Sequence, residues 1–493
     1  MALPSQWNEV GYHRLPGCGR RQIILQSRPA NLPSMCSCSL QGIHPQKALS
    51  HEFWSCIVMQ KVKLDDFETL RRFVDDVPRS YCCHIEELEV NTQSKNNIGN
   101  VPPRDRADAL IALLSASFRI HKLVLTVGGS LDKTVIAPFP SLLNLKQLSI
   151  SNAGDEKRTP LCVLLSLPLC IVNWLFPSRS ERLVVSIALS TRNLEELSLD
   201  RITRSRVHAP ELDGVFPFIP LSVNDEDIPS HSVYGSELSL PSLLQISTLR
   251  KLTIRDTHLG DERWTTAPIL CRLEFLDLGS CYHEDESFNT RCTERIMAAV
   301  GPTVDEFSLT AAVSNSLFSE PSATPLRKLR KLHISPFFPV DSVVETMSNL
   351  AGSPVEGISV QCFEDDVVDI CTELEKFLNL RVERGCDFYH KLKRIDISVT
   401  ALDDTRTFTE QETEERIAAA RRLQAYCDDL QLASIVDKLN AEGSTSSGPK
   451  SRDAKRARSM TFWKKGIYIL YWLIIHGFFL GSLFYYLCIY QRT

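Results

Sequence analysis

The sequence predicts an α/β solenoid in which short parallel strands alternate with helical returns, followed by one further helix and a single transmembrane helix. Three observations lead to this prediction. A short apolar pattern recurs ten times between residues 85 and 397, segments with helical periodicity lie between the copies, and 25 consecutive residues near the C-terminus carry no formal charge. With 43% hydrophobic and 23% charged residues, the chain has an ordinary globular composition, which excludes wholesale disorder.

The recurring pattern consists of an apolar residue, two residues of any kind, a second apolar residue, one further residue and a third apolar residue. Its second and third apolar positions lie on one face of a short strand, and the first lies at the turn into that strand. Such a strand cannot bury its apolar face alone, so neighbouring strands must stack. The copies are Ile85-Leu88-Val90, Ile120-Leu123-Leu125, Leu145-Leu148-Ile150, Leu194-Leu197-Leu199, Leu249-Leu252-Ile254, Leu273-Leu276-Leu278, Val304-Phe307-Leu309, Leu329-Leu332-Ile334, Val355-Ile358-Val360 and Leu392-Ile395-Ile397.

The segments between the copies predict the returns. Residues 107–118, 181–190 and 365–379 have helical periodicity. Spacings of 24 to 31 residues match one strand plus one return, whereas the two spacings of 49 and 55 residues could each hold a missed repeat or an insertion. Residues 205–242 contain five prolines and the acidic run NDED, which predicts a long loop projecting from the array.

The pattern resembles a leucine-rich-repeat array, which implies one solenoid over residues 61–404. The usual unit carries Asn or Cys three residues after its last apolar position. Here only the Leu273-Leu276-Leu278 copy has such a residue, Cys281, so the repeats are degenerate. The alternative is an ordinary α/β domain whose strands happen to share a pattern.

In a leucine-rich-repeat array, the residues between the apolar positions point into the concave surface. The candidate binding residues on that surface are Glu87, Glu89, Lys122, Glu196, Asp200, Lys251, Arg255, Phe275, Asp277, Glu306, Lys331, His333 and Arg394. Acidic and basic residues alternate in blocks along these positions, which suits recognition of a folded protein. A phosphate backbone requires one continuous positive stripe, so we expect a protein target and no nucleic acid. The alternative is a solvated face without a partner.

Motifs of known catalytic chemistry are missing from the sequence. It contains no GxSxG, P-loop, HExxH or GxGxxG pattern and no CxxC pair. We therefore expect a protein that is not an enzyme and that has no cofactor and no metal site.

Residues 1–60 form an irregular N-terminal region with a possible degenerate F-box. Residues 37–58 resemble the back half of the F-box in F-box plus leucine-rich-repeat proteins, which are numerous in mushroom-forming fungi. The matching positions are Cys38, Leu40, Phe53 and Ile57. The front half departs from the family, because neither Leu15-Pro16 nor Leu32-Pro33 opens an amphipathic helix.

This resemblance implies a substrate receptor of a ubiquitin ligase. In such a protein, the N-terminus binds the ligase adaptor and the array binds the target. The alternative is a membrane-anchored protein-interaction scaffold with no ubiquitin-ligase role.

Two segments follow the array. Residues 405–441 predict a capping or stalk helix, in which Thr409 and Glu412 can form a capping box. Residues 442–465 predict a basic flexible linker.

Residues 466–490, GIYILYWLIIHGFFLGSLFYYLCIY, predict the transmembrane helix. A helix of this length runs about 37 Å, enough to cross a hydrocarbon core of about 30 Å. Basic residues precede the span and only Arg492 follows it, so we expect a single-pass, C-terminally anchored membrane protein with its N-terminal bulk in the cytosol. Gly477 and Gly481 form a GxxxG pattern that would let two membrane helices pack closely. A buried core helix and an error in the gene model are the alternatives.

Overall fold

The computed structural model describes residues 24–26, 60–94, 102–128, 131–152, 180–213, 215, 219, 221–222, 225–281, 284–314, 326–385, 387–400 and 409–436. The chain divides into two compact units. The first contains Met1–Pro177 and Ser190–Asn193, and the second contains Ser178–Leu189 and Leu194–Thr493.

The first unit is a sheet backed by helices. Its strands, in sheet order, are β1 (Ile24–Gln26), β2 (Lys61–Leu64), β3 (Glu87–Asn91), β4 (Lys122–Val127) and β5 (Gln147–Asn152). Strand β1 pairs with β2 in antiparallel fashion, and the other neighbours pair in parallel. The returns between parallel strands are α1 (Phe67–Asp76), α2 (Arg79–Cys82), α3 (Pro103–Ala116) and two 3₁₀ turns (Lys133–Ile136 and Phe139–Ser141).

The second unit is a longer parallel sheet. Its strands, in sheet order, are β6 (Glu196–Asp200), β9 (Lys251–Arg255), β10 (Phe275–Leu278), β11 (Glu306–Leu309), β12 (Lys331–Ile334), β13 (Gly357–Phe363), β14 (Arg394–Thr400) and β15 (Ala433–Val436). Its helices are α4 (Glu181–Ser190), α5 (Glu286–Val300), α6 (Val343–Asn349), α7 (Val367–Arg384) and α8 (Glu410–Asp429). Strands β7 (Arg204–Ser205) and β8 (Leu221–Ser222) form a separate short parallel pair. The remaining returns contain 3₁₀ turns, among them Leu240–Gln245 and Glu262–Thr265.

All ten copies of the apolar pattern form strands, and the copies stack in register. The middle apolar residues of the first unit, Leu88, Leu123 and Leu148, align across β3, β4 and β5. Those of the second unit are Leu197, Leu252, Leu276, Phe307, Leu332, Ile358 and Ile395. Each is no more than 2% exposed. The predicted α/β class with parallel strands is confirmed, and its arrangement of one strand per repeat is leucine-rich-repeat-like.

The longer of the two wide spacings is an insertion. Strand β6 pairs directly with β9, with Leu197 opposite Leu252, so no repeat strand lies between them. The intervening segment is mostly loop, as predicted. Part of it packs into the unit, since Ala209, Leu238 and Leu240 are buried, whereas Val207, Val215 and Val233 are exposed.

The C-terminal part of the array differs from the prediction. The capping box of Thr409 and Glu412 is present and begins α8. That helix ends at Asp429, and residues 433–436 form β15, which pairs in parallel with β14. Helix α8 is therefore the return of a further repeat, and the expected helix is shorter than residues 405–441.

The membrane prediction falls outside the described residues. Residues 466–490, with Gly477 and Gly481, are not among the described residues. The same is true of the predicted linker at residues 442–465 and of nearly all of the N-terminal region at residues 1–60, which includes the F-box-like positions. Among the helices in the described ranges, none combines the length and the apolar character needed to cross a bilayer.

Candidate functional site

The candidate binding residues all lie on one side of their own strands. Each of the thirteen occupies the first, third or fifth position of its strand, whereas the apolar ladder occupies the second and fourth. Because side chains alternate along a strand, the candidates point away from the apolar core. We call the side of each unit's sheet that carries them the strand face. Asp277 is buried on it, and the other twelve are half-buried or exposed.

On the strand face of the first unit, ion pairs join β2 to β3. Lys61 Nζ lies 3.2 Å from Glu87 Oε2, and Lys63 Nζ lies 2.7 Å from Glu89 Oε1. Lys122 stands beside Glu87 in the sheet register. The two lysines were missed because the copy Met59-Val62-Leu64 was overlooked, although it fits the same pattern.

On the strand face of the second unit, four candidates form one cluster on β10, β11 and β12. Glu306 lies at its centre, with Lys331 Nζ 2.5 Å from Oε1 and His333 Nε2 3.3 Å from Oε2. The ring of Phe275 lies 6.2 Å, centroid to centroid, from the imidazole of His333. The cluster therefore combines an aromatic surface with three charged or titratable groups.

The electrostatics of this cluster favour an ionised Glu306. Burial raises the pKa of Glu306, but the hydrogen bonds and charges of Lys331 and His333 outweigh burial and hold it below its usual value of 4.5. Farther along the face, the hydrogen bond to Glu196 raises the pKa of Lys251 despite an opposing effect of burial. Glu306 and Lys251 are therefore ionised at neutral pH.

Further pairs extend the charged face on either side of the cluster. Lys251 Nζ lies 2.7 Å from Glu196 Oε1, and Arg394 Nε lies 2.6 Å from Asp396 Oδ2. Arg255 donates through Nε and Nη2 to Asp277 Oδ2, at 3.1 Å and 2.5 Å.

A second row of ion pairs, which sequence reasoning missed, lies where the strands begin. Arg250 pairs with Glu274 at 2.7 Å, Arg330 with Asp305 at 2.6 Å, and Lys393 with Glu356 at 2.8 Å. Each of these residues directly precedes the first residue of its strand. The signal was present, because this position carries opposite charges in the paired copies.

The other unpredicted feature is a buried polar network in the second unit. Glu181, at the start of α4, is fully buried, and its Oε1 lies 3.1 Å from both Arg204 Nε and His208 Nδ1. Arg204 Nη2 continues to Asp261 Oδ2 at 3.3 Å, and Arg263 Nη2 reaches the same oxygen at 2.9 Å. The network ties the insertion after β6 to α4.

The surrounding groups keep the two carboxylates of this network, Glu181 and Asp261, ionised. Burial raises the pKa of Glu181, but the hydrogen bond of His208 and the charge of Arg204 outweigh it, so the net shift is downward. Burial likewise raises the pKa of Asp261, and Arg263 and Arg204 lower it by more.

The polar groups of this network are oriented for structure rather than for nucleophilic chemistry. The hydroxyl of Ser205 donates to Asp225 Oδ1 at 3.0 Å, and His208 contacts Glu181. This arrangement does not pair the hydroxyl with the imidazole as nucleophile and base.

The described ranges offer neither a cluster of metal ligands nor, at four buried cysteines, a reactive thiol. There, no group of three or more His, Cys, Asp or Glu side chains is placed to hold a metal ion. Burial raises the pKa of Cys271 and Cys292 to about 11, and that of Cys362 and Cys371 to about 12. These thiols are protonated core residues at neutral pH.

Comparison with known proteins adds little to this description. No family model and no curated protein matches the sequence. One chain in the crystal structure of a TLR13–ssRNA13 complex matches with 13% identity over 70% of this chain and a TM-score of 0.23. The present chain spans 46% of the length of that chain. The leucine-rich-repeat-like arrangement of this chain follows from its own strand order and register.

Proposed function

We propose that this chain is a non-catalytic protein-binding repeat protein whose binding surface is the strand face of the second unit. The observation that carries the proposal is the cluster of Phe275, Glu306, Lys331 and His333, in which an aromatic side chain is set among ion pairs. Aromatic anchors surrounded by a polar rim are typical of protein-binding surfaces. The function is recognition without a chemical step.

Site-specific photo-crosslinking tests this proposal. A photo-reactive amino acid replaces Phe275 in the full chain, and the matched control places it at Val382 on α7, which is exposed and lies off the strand face. We expect a discrete protein adduct from Phe275 and none from Val382. Equal labelling from both positions, or no adduct from Phe275, would refute the proposal.

A more specific role follows from the resemblance of residues 37–58 to an F-box. We propose that the N-terminal region binds a ubiquitin-ligase adaptor and that the strand face binds the substrate. The resemblance at Cys38, Leu40, Phe53 and Ile57 supports this role. The full chain should then co-purify with the adaptor, and deletion of residues 1–60 should abolish recovery. If the adaptor is not recovered under mild lysis, the scaffold role without a ligase is favoured.

We also propose that residues 466–490 tether the chain to a membrane, with its N-terminal bulk in the cytosol. The uncharged length of this segment and the basic residues before it support the tether. Alkaline carbonate extraction should leave the full chain in the membrane pellet and release a variant that ends at residue 441. Release of the intact chain would contradict the tether.

A further inference from the structure

Cross-strand ion pairs give the strand face an uneven surface. In eight cross-strand ion pairs on the strand faces of the two units and at the strand starts, the side chain of the cation is more exposed than that of its carboxylate. The pairs are Lys61–Glu87, Lys63–Glu89, Arg250–Glu274, Lys251–Glu196, Arg255–Asp277, Arg330–Asp305, Lys331–Glu306 and Lys393–Glu356.

The difference in exposure is large at several positions. The side chain of Lys331 is 57% exposed and that of Glu306 is 28% exposed, and the values for Lys393 and Glu356 are 71% and 37%. Long basic side chains arch over the shorter carboxylates and keep their charged ends in water. At these positions the outer layer of charge is therefore positive, even though the numbers of acidic and basic groups are nearly balanced.

This positive layer surrounds open space at the start of β13. Gly357 lies in register between Lys331 of β12 and Arg394 of β14. A Cβ atom built on Gly357 would meet nothing within 4 Å. Neighbouring strands are about 4.8 Å apart, so the flanking residues stand about 10 Å apart across the glycine. The depression is therefore flanked by Lys331 and Arg394, and two further cations, Arg330 and Lys393, directly precede them at the strand starts.

We infer that this depression receives an acidic segment of the partner protein, whose carboxylates bind Lys331 and Arg394 above Gly357. The inference rests on the proposed function and names the chemistry of its partner. A carboxylate of the partner contacts the solvent-facing side of each cation, and the partner segment lies in the depression above Gly357.

The carboxylates beneath the cations favour a protein segment over a nucleic acid. Lys331 Nζ lies 2.5 Å from Glu306 Oε1, and Arg394 Nε lies 2.6 Å from Asp396 Oδ2. A polyphosphate gains affinity by neutralising many uncompensated cations along its length, and the underlying acids oppose this gain. Carboxylates spaced along a protein segment each contact one outer cation. Such a segment can therefore bind even though these cations are already paired with acidic side chains of this chain.

A binding measurement on the full chain in detergent tests this inference. The probe is a fluorescent glutamate peptide of about ten residues, compared with a glutamine peptide and a single-stranded oligonucleotide of the same length at low salt. We expect the glutamate peptide to bind at least about tenfold more tightly than the glutamine peptide, and this preference to fall as salt is added.

Two variants locate the binding. The double variant Lys331→Gln, Arg394→Gln removes the charges, and Gly357→Leu fills the depression without changing charge. Each should weaken the glutamate peptide by about fivefold to tenfold. The matched control is Lys376→Gln on α7, where the lysine is 60% exposed and paired with Glu373, and it should have no effect. Equal binding of both peptides, or no loss in either variant, would overturn the inference. Tighter binding of the oligonucleotide that both variants abolish would do so as well, in favour of a nucleic acid.

The crosslinking experiment separates this failure from failure of the proposed function. If the Phe275 adduct persists in the double variant and excess glutamate peptide does not compete with it, the surface binds a protein but not through an acidic segment. If no adduct forms at all, the proposed function itself is wrong.

Discussion

Lys331 and Glu306 connect β12 to β11 through a 2.5 Å contact in which the lysine is twice as exposed as the glutamate. The cation is the more exposed member of the pair, and the same order of exposure recurs along the strand face and at the strand starts. The more exposed cations are the charges that a partner meets first. Lys331 and His333 also lower the pKa of the Glu306 carboxylate beside them.

Replacing Glu306 should reduce stability modestly and in a pH-dependent way. The folded-state pKa of Glu306 is lowered, so its contribution is present above its usual value of 4.5 and is lost as pH falls through the lowered value. Glu306→Gln should lower the free energy of unfolding by up to about 1 kcal/mol at neutral pH, because a partly exposed pair is screened by water. Urea unfolding should show the two proteins converging below pH 4.5. A difference that grows on acidification would contradict this account.

Removing the charge of Glu181 should have a much larger effect. Glu181→Gln removes the carboxylate partner of the buried His208 and leaves the buried Arg204 with Asp261 as its carboxylate partner, which should cost about 3–5 kcal/mol in urea unfolding. The matched control is Glu226→Gln at an exposed position of the same insertion, which should stay within about 0.5 kcal/mol of the wild type. Similar losses in both variants would show that the network is not buried as described.

Leu252 and Thr253 are adjacent on β9 but point to opposite sides of the sheet, so replacing each with alanine should change the stability by different amounts. Leu252 is fully buried between Leu197 and Leu276 of the neighbouring strands. Leu252→Ala should cost about 2–5 kcal/mol, as large-to-small substitutions in a core do. Thr253→Ala on the opposite face should cost less than about 1 kcal/mol. Comparable losses in thermal unfolding would indicate that the register is wrong.

Two glycines on the strands' outer side should respond differently to the same substitution. A Cβ atom on Gly279 would approach Arg255 to 2.9 Å at Cγ and 3.0 Å at Cα, whereas Gly357 has open space. Gly279→Ala should therefore destabilise the fold by about 1–3 kcal/mol and loosen the Arg255–Asp277 pair. Gly357→Ala should be close to neutral. Equal effects of the two substitutions in denaturant titrations would contradict the close approach at Gly279.

The strands could be predicted because their signal is local. Each copy places its apolar residues within six positions, and the register then follows from aligning equivalent positions. The same pattern would have predicted β2, since Met59-Val62-Leu64 fits it. Strand β15 could not be found in this way, because Ser434 stands opposite Ile395 where the pattern requires an apolar residue.

The positions of the candidate binding residues could be predicted, but not which member of each ion pair is the more exposed. Alternation along a strand placed all thirteen candidates on the outer side, yet it gives no information about which member of a pair lies outermost. That depends on side-chain length and on the charges of neighbouring strands, which come from copies 24 to 55 residues away. The buried network was even less accessible, because Glu181, Arg204 and Asp261 come from separate segments and each reads as an ordinary surface charge.

The central claim is that the strand face of the second unit binds a protein, and an affinity measurement tests it most directly. The protein captured from Phe275 is purified, and its affinity for the full chain is measured by titration calorimetry with Phe275→Ala and Val382→Ala. The account predicts that Phe275→Ala weakens binding at least about tenfold and that Val382→Ala leaves it unchanged. Unchanged affinity in Phe275→Ala, or an equal loss in both variants, would contradict it.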